Sequence, residues 1–116
     1  MDIKNGPEKY ATTAGVSKLD MAAIEETMQF LLQGSVSYEF RTTVVAELHD
    51  EKSMQQMGKW LYTTAGARVK RLFLQSFVDR DTVAFAGLHP CTGAQMAEFV
   101  RILEPFAEFV KIRGNE

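Results

Sequence analysis

Two hydrophobic periods divide this chain. A period of two runs through Tyr38–Val45: Tyr38, Phe40 and Val44 share one face, and Glu39, Arg41 and Thr43 share the other. The same alternation sets Asp2 and Lys4 opposite Met1 and Ile3, and puts Gln75 on the face of Phe73 and Phe77, away from Leu72 and Leu74. Helical spacing fills the intervals. Met21, Ile24, Met28 and Leu31 form one stripe, with Leu32 beside them. Met54, Met57 and Leu61 form a second, widened by Trp60. Met96, Phe99, Leu103 and Phe106 form a third. The methionines on these stripes read as core filler, not as metal ligands.

Boundary signals turn the periods into elements. Met1–Lys4 reads as the end of a strand, closed by the turn Asn5-Gly6-Pro7. Glu8–Val16 reads as a loop with one short helical turn around Pro7–Tyr10. Ser17, followed by Asp20, caps a helix over roughly Lys18–Gln33, which Gly34 ends. The strand Ser37–Val45 follows. Asp50 is the N-cap of a second helix that Gly66 closes. Arg71–Val78 is a strand, and Asp79–Cys91 is a loop of about a dozen residues, long enough to carry function. Thr92 and Gln95 make a capping box for a helix over Gln95–Phe106, kinked or ended by Pro105. Phe109–Arg113 is the last strand.

The order β-α-β-α-β-α-β predicts an α/β fold, a single domain over residues 1–116, with a parallel sheet joined by crossover helices. Parallel strands buried on both faces read as continuous Val, Ile and Leu. These do not. One sheet face is apolar and takes the helices. The other carries Asp2, Lys4, Glu39, Arg41, Thr43 and Gln75, and no helix remains to cover it. A polar face of this kind fits part of a barrel lumen, where the active site sits at the C-terminal strand ends. On residue pattern alone, Arg41 is either half of a Glu39–Arg41 pair on a solvated face or a ligand contact.

Composition narrows the partners. The 116 residues are 46% hydrophobic and 24% charged, with a net charge of −2, so nothing favours nucleic acid as the main partner. No apolar run approaches the roughly 20 residues of a membrane span, and the first residues lack a signal-peptide pattern. A single cysteine, Cys91, excludes an internal disulfide and fits a reducing, cytoplasmic setting. His49, just before the helix cap Asp50, reads as part of the helix start. His89-Pro90-Cys91 has too few companions for a metal site.

In chain order, Met1-Asp2-Ile3-Lys4, Tyr38-Glu39-Phe40-Arg41-Thr42-Thr43-Val44-Val45, His49-Asp50, Leu74-Gln75-Ser76-Phe77 and Val110-Lys111-Ile112-Arg113-Gly114 resemble the radical S-adenosylmethionine activating enzymes. The likeness is to the anaerobic ribonucleoside-triphosphate reductase activating proteins, and next to pyruvate formate-lyase activases. It covers the second half of that family's partial (β/α)6 barrel. The resemblance implies that Lys4 and Arg41 contact the carboxylate or ribose side of S-adenosylmethionine. It implies that Asp2 belongs to the same polar network, with Thr43 and Gln75 as further cofactor-binding positions. Glu39 would keep Arg41 oriented in the empty site.

The family's Cys-x3-Cys-x2-Cys loop for a four-iron (4Fe-4S) cluster is absent, as is its Gly-Gly-Glu strand. The resemblance therefore implies a C-terminal half-barrel that binds S-adenosylmethionine but is not catalytically competent alone. The radical chemistry would need a separate N-terminal half bearing the cluster, and a glycyl radical enzyme as partner. The alternative from another class is a non-catalytic half-barrel that works through protein–protein contact or self-association, using the bare face or the Met1–Lys4 edge.

Overall fold

Paired capping signals place the two helices that cover the sheet. Asp50 accepts from the Ser53 backbone N–H (2.7 Å) while the Ser53 hydroxyl accepts from the Asp50 N–H (2.9 Å). Thr92 and Gln95 exchange the equivalent bonds at 3.1 and 2.8 Å. The computed structural model describes residues 1–33, 37–77 and 87–113. Its elements are α1 (Tyr10–Ala14), α2 (Met21–Leu32), β1 (Phe40–Val44), α3 (Glu51–Ala65), β2 (Val69–Ser76), α4 (Gly93–Leu103) and β3 (Ala107–Arg113). A 3-10 turn at Glu104–Phe106, with Pro105 inside it, separates α4 from β3.

The sheet is open, three-stranded and parallel, in the order β1-β2-β3. Phe40 pairs with Leu72 and Leu72 with Val110, so these side chains share the helix-covered face. Arg41 pairs with Phe73, and Phe73 with Lys111, on the other. Phe40, Thr42 and Val44 are buried while Arg41 and Thr43 are exposed, as the alternation requires. The core joins Phe40, Val44, Leu72 and Leu74 to Met54, Met57, Leu61, Met96, Phe99 and Leu103. At about 1.5–3 kcal/mol for each large apolar side chain taken from water, this one-sided layer is the main source of stability.

The expected fourth strand is reduced to one bridge. Ile3 N–H donates to the Arg41 carbonyl (2.8 Å) and Arg41 N–H to the Met1 carbonyl (3.0 Å), pairing Asp2 with Arg41 in parallel. The ladder then stops, and the Lys4 carbonyl accepts from the His49 ring. The expected helix boundary at Lys18 also moves. Asp20, not Ser17, caps α2, accepting from Ala22 and Ala23 N–H. The short turn expected at Pro7–Tyr10 is displaced into α1. Gly34 and most of the Asp79–Cys91 loop lie outside the described residues. Among the described residues no helix is long and apolar enough to cross a membrane.

A glycine inside α3 needs a reason, since glycine weakens helix interiors. A Cβ on Gly58 would overlap the ring of Phe106, at the turn between α4 and β3. Absence of that Cβ lets the turn sit flush on α3. Gly58→Ala gains about 1 kcal/mol of helix propensity but overpacks against an aromatic ring, which costs about 1–3 kcal/mol. A net loss of stability is expected in urea denaturation. A more stable variant would contradict this close packing.

Candidate functional site

Asn5 fixes where the first residues run. It is fully buried, and its amide donates to the Leu48 carbonyl (2.8 Å) and the Thr13 hydroxyl (3.1 Å) while its oxygen accepts from Gly6 N–H (2.8 Å). Tyr10, buried and set edge-on against Trp60, donates to the Asp2 carbonyl at 3.3 Å. His49 completes the anchoring. Val45 N–H donates to His49 Nδ1 (3.0 Å), so the proton lies on Nε2, which donates to the Lys4 carbonyl (2.9 Å). One imidazole thus bridges the end of β1 to the segment beside it.

These anchors place Asp2 and Lys4 at the rim of a cavity of about 250 Å³ at the C-terminal strand ends. Thr13, Thr43, Val45, Leu48, Phe77 and Leu88 complete its lining. Asp2 Oδ2 accepts from Lys4 Nζ at 2.6 Å. With side chains 36% and 45% exposed, this pair adds little stability. Asp2 Oδ1 is different: it is buried and has no hydrogen-bond partner among the described residues. An unsatisfied carboxylate oxygen is costly.

Of the five positions expected to bind cofactor, Asp2, Lys4 and Thr43 line this cavity; Arg41 and Gln75 do not. Those two stand on the adjoining bare face, Arg41 paired with Asp2 across the bridge and Gln75 with Thr43 in the ladder. Arg41 is exposed, and its guanidinium has no ion-pair or hydrogen-bond partner among the described residues. The expected Glu39–Arg41 pair does not form. Glu39 instead accepts from Arg113 Nη1 at 2.8 Å, across the sheet. Arg113 lies 3.9 Å over the Phe73 ring, and this stacking draws it along the face toward Glu39. The hydrogen bond from Arg113 holds the Glu39 carboxyl below its ordinary pKa.

Pattern reading misses the anchors. Asn5 reads as a turn residue and Tyr10 as the end of a short helical turn, because both act through side-chain bonds to distant backbone that have no period. Leu48 and Leu88 carry no signal at all. His49 reads as part of the helix start, and it does precede the cap, but its two bonds run to Val45 and Lys4.

The second histidine closes the other side of the strand ends. Glu47 accepts from His89 N–H (2.7 Å) and pairs with His89 Nδ1 (2.8 Å), while Ala46 N–H donates to the His89 carbonyl (2.8 Å). The hydrogen bonds from His89 lower the Glu47 pKa. Cys91 is buried behind this contact, and burial pushes its thiol pKa up, with Glu47 adding to the effect. Such a thiol is a poor nucleophile and a poor metal ligand. No group of three or more His, Cys, Asp or Glu among the described residues could hold a metal ion.

No protein-family model matches this chain, and neither curated proteins nor solved structures show a significant similarity to it.

His49 gives a test of the anchoring. Only 4% of it is exposed, and burial keeps its pKa below the ordinary 6.5 despite its backbone hydrogen bonds. The unfolded chain therefore takes up a proton near pH 6.5 that the folded chain refuses. Stability is full above that pH and falls as pH drops from about 6.5 toward the lower folded pKa. His49→Ala should cost about 2–3 kcal/mol at pH 7.5 by leaving Val45 N–H and the Lys4 carbonyl unpaired. It should also flatten the pH 7–5 stability slope measured by chemical denaturation. An unchanged slope in the variant would rule out His49 as its source.

Proposed function

We propose that this chain is the S-adenosylmethionine-binding portion of a radical S-adenosylmethionine activating enzyme, acting with a separate cluster-bearing half on a glycyl radical enzyme. The single observation that carries the reading is the convergence of Asp2, Lys4 and Thr43 on one strand-end cavity, next to an exposed Arg41 that has no partner among the described residues. In this reading the open sheet is half of a partial (β/α)6 barrel and the bare face is its lumen.

The chemistry of the residues suits such a ligand. Arg41 offers paired donors to a carboxylate. The Asp2 carboxylate accepts from a ribose hydroxyl or offsets a sulfonium charge. The Lys4 ammonium, held by Asp2 Oδ2, is within the same lining. Val45, Leu48, Phe77 and Leu88 give the cavity an apolar wall. At about 250 Å³ the cavity falls below the roughly 300–1,000 Å³ of sites that enclose a whole small molecule. It holds one part of the ligand, and the remainder lies along the face toward Arg41 and Gln75.

The residues do not fit the iron–sulfur cluster. Such a cluster is held by several thiolates, and this sequence has one cysteine, buried and with a raised pKa. No radical step is therefore assigned to this chain. Its own residues bind and orient. The cluster would come with the other half, whose natural docking edge is the short Met1–Lys4 segment, where pairing amounts to a single bridge.

Titration calorimetry with S-adenosylmethionine tests the reading. The parent chain should bind. Arg41→Ala should weaken binding at least tenfold, about 1.4 kcal/mol, and Asp2→Asn should weaken it as well. No binding by the parent, or equal binding by parent and Arg41→Ala, would leave the non-catalytic interaction module as the better account.

A further inference from the structure

β3 forms an edge of the sheet away from the strand-end cavity. It pairs with β2 on one side, and among the described residues no strand pairs with the other. An unpaired edge is a template for another chain unless it is blocked. Only its start is covered: Arg68 Nη2 donates to the Ala107 carbonyl (2.7 Å) and to the Glu104 carbonyl (2.9 Å). Beyond that point Phe109 is 47% exposed and Ile112 is 39% exposed, and among the described residues β3 is the strand that carries exposed large hydrophobic side chains. Val110 within β3 is only partly buried, as are Val100 and Ile102 of α4.

We propose that two copies of this chain pair antiparallel through β3 about a two-fold axis at Val110, forming one continuous six-stranded sheet. Within the strand Ala107–Arg113, residues 108–112 are self-complementary in this register. Val110 meets Val110 of the second copy. Phe109 meets Lys111 of the second copy on the bare face, an aromatic ring beside an ammonium group. Glu108 meets Ile112 on the helix side. Other registers are poorer. A centre at Lys111 sets two ammonium groups opposite each other, and a centre at Glu108 sets two carboxylates opposite. A centre at Phe109 leaves Ile112 and Arg113 facing the 3-10 turn. Only the Val110 centre pairs all of residues 108–112 with no like-charge pair.

The same charges argue against a face-to-face dimer. The bare face holds Arg41, Arg71, Lys111 and Arg113 against Asp2 and Glu39, so two such faces repel. Edge pairing leaves that face and the strand-end cavity free, so binding of a ligand there and dimerisation are separable by experiment.

Light scattering on size-exclusion fractions, from low micromolar to about 0.2 mM, should show a concentration-dependent rise to twice the chain mass. Phe109→Lys places a second ammonium group opposite Lys111 of the other copy and should weaken the dimer at least tenfold, with unchanged circular dichroism. The swap Phe109→Lys with Lys111→Phe restores the aromatic–ammonium pairs in this register and should recover the dimer. In a Cys91→Ala background, Val110→Cys should cross-link on oxidation far faster than Glu108→Cys, and this readout does not depend on the swap variants folding well. A chain that stays monomeric throughout and forms no Val110→Cys cross-link would overturn the proposal. So would a dimer in which Glu108→Cys cross-links as fast as Val110→Cys.

Discussion

A parallel sheet that buries only one of its faces is the constraint behind everything else in this molecule. Parallel strands ordinarily carry helices on both sides. Here α3 and α4 take the side of Phe40, Leu72 and Leu74, and the described residues supply no third layer for the side of Arg41, Phe73 and Lys111. The uncovered side must therefore be made of residues that tolerate water. Arg41, Arg71, Gln75, Lys111 and Arg113 do so directly. Phe73 does so because Arg113 lies over its ring and Phe109 meets its edge. The Glu39–Arg113 pair is best understood as a strap over that aromatic patch, and its use of Glu39 leaves Arg41 unengaged.

The strand-end cavity depends on a different set of forces. The hydrophobic layer takes Ile3 from the first segment but leaves Asp2 and Lys4 outside it. Those two are positioned by hydrogen bonds from buried polar groups: Asn5 to Leu48, Tyr10 to the Asp2 carbonyl, and His49 to the Lys4 carbonyl. Buried polar groups are costly unless satisfied, and each of these is satisfied by backbone of a distant segment. The one exception among the described side chains is Asp2 Oδ1. The first segment is thus anchored at several points beside the cavity that Asp2 and Lys4 line.

Much of the architecture is legible in the residues. The parallel order, the one-sided sheet, the caps at Asp50 and Thr92 and the Met54–Leu61 stripe all follow from local pattern, and local pattern is what decides them. The extent of the first strand is not legible. Met1–Lys4 alternates like a strand, but its course is set by the side-chain bonds of Asn5, Tyr10 and His49 to distant backbone, which follow no period. The partner of Glu39 escapes the sequence for a related reason. Arg41 is two residues away in sequence, whereas Arg113 arrives from β3, and only the assembled sheet brings it close. The candidate site is half visible. Alternation finds Asp2, Lys4, Arg41, Thr43 and Gln75 as one polar face, but not the split between cavity and open sheet, nor the Leu48 and Leu88 walls.

On the proposed reading the strand-end cavity, and not the helical side of the sheet, is the working surface. Backbone amide shifts followed by nuclear magnetic resonance during titration with S-adenosylmethionine would distinguish the two. Saturable shifts are expected at Asp2, Lys4, Thr43 and Leu48, extending to Arg41 and Gln75, with α3 and α4 silent beyond their first turns. Shifts confined to the groove between His49, Glu51, Gln95 and Glu98 on the helical side, or no shifts at saturating ligand, would contradict it.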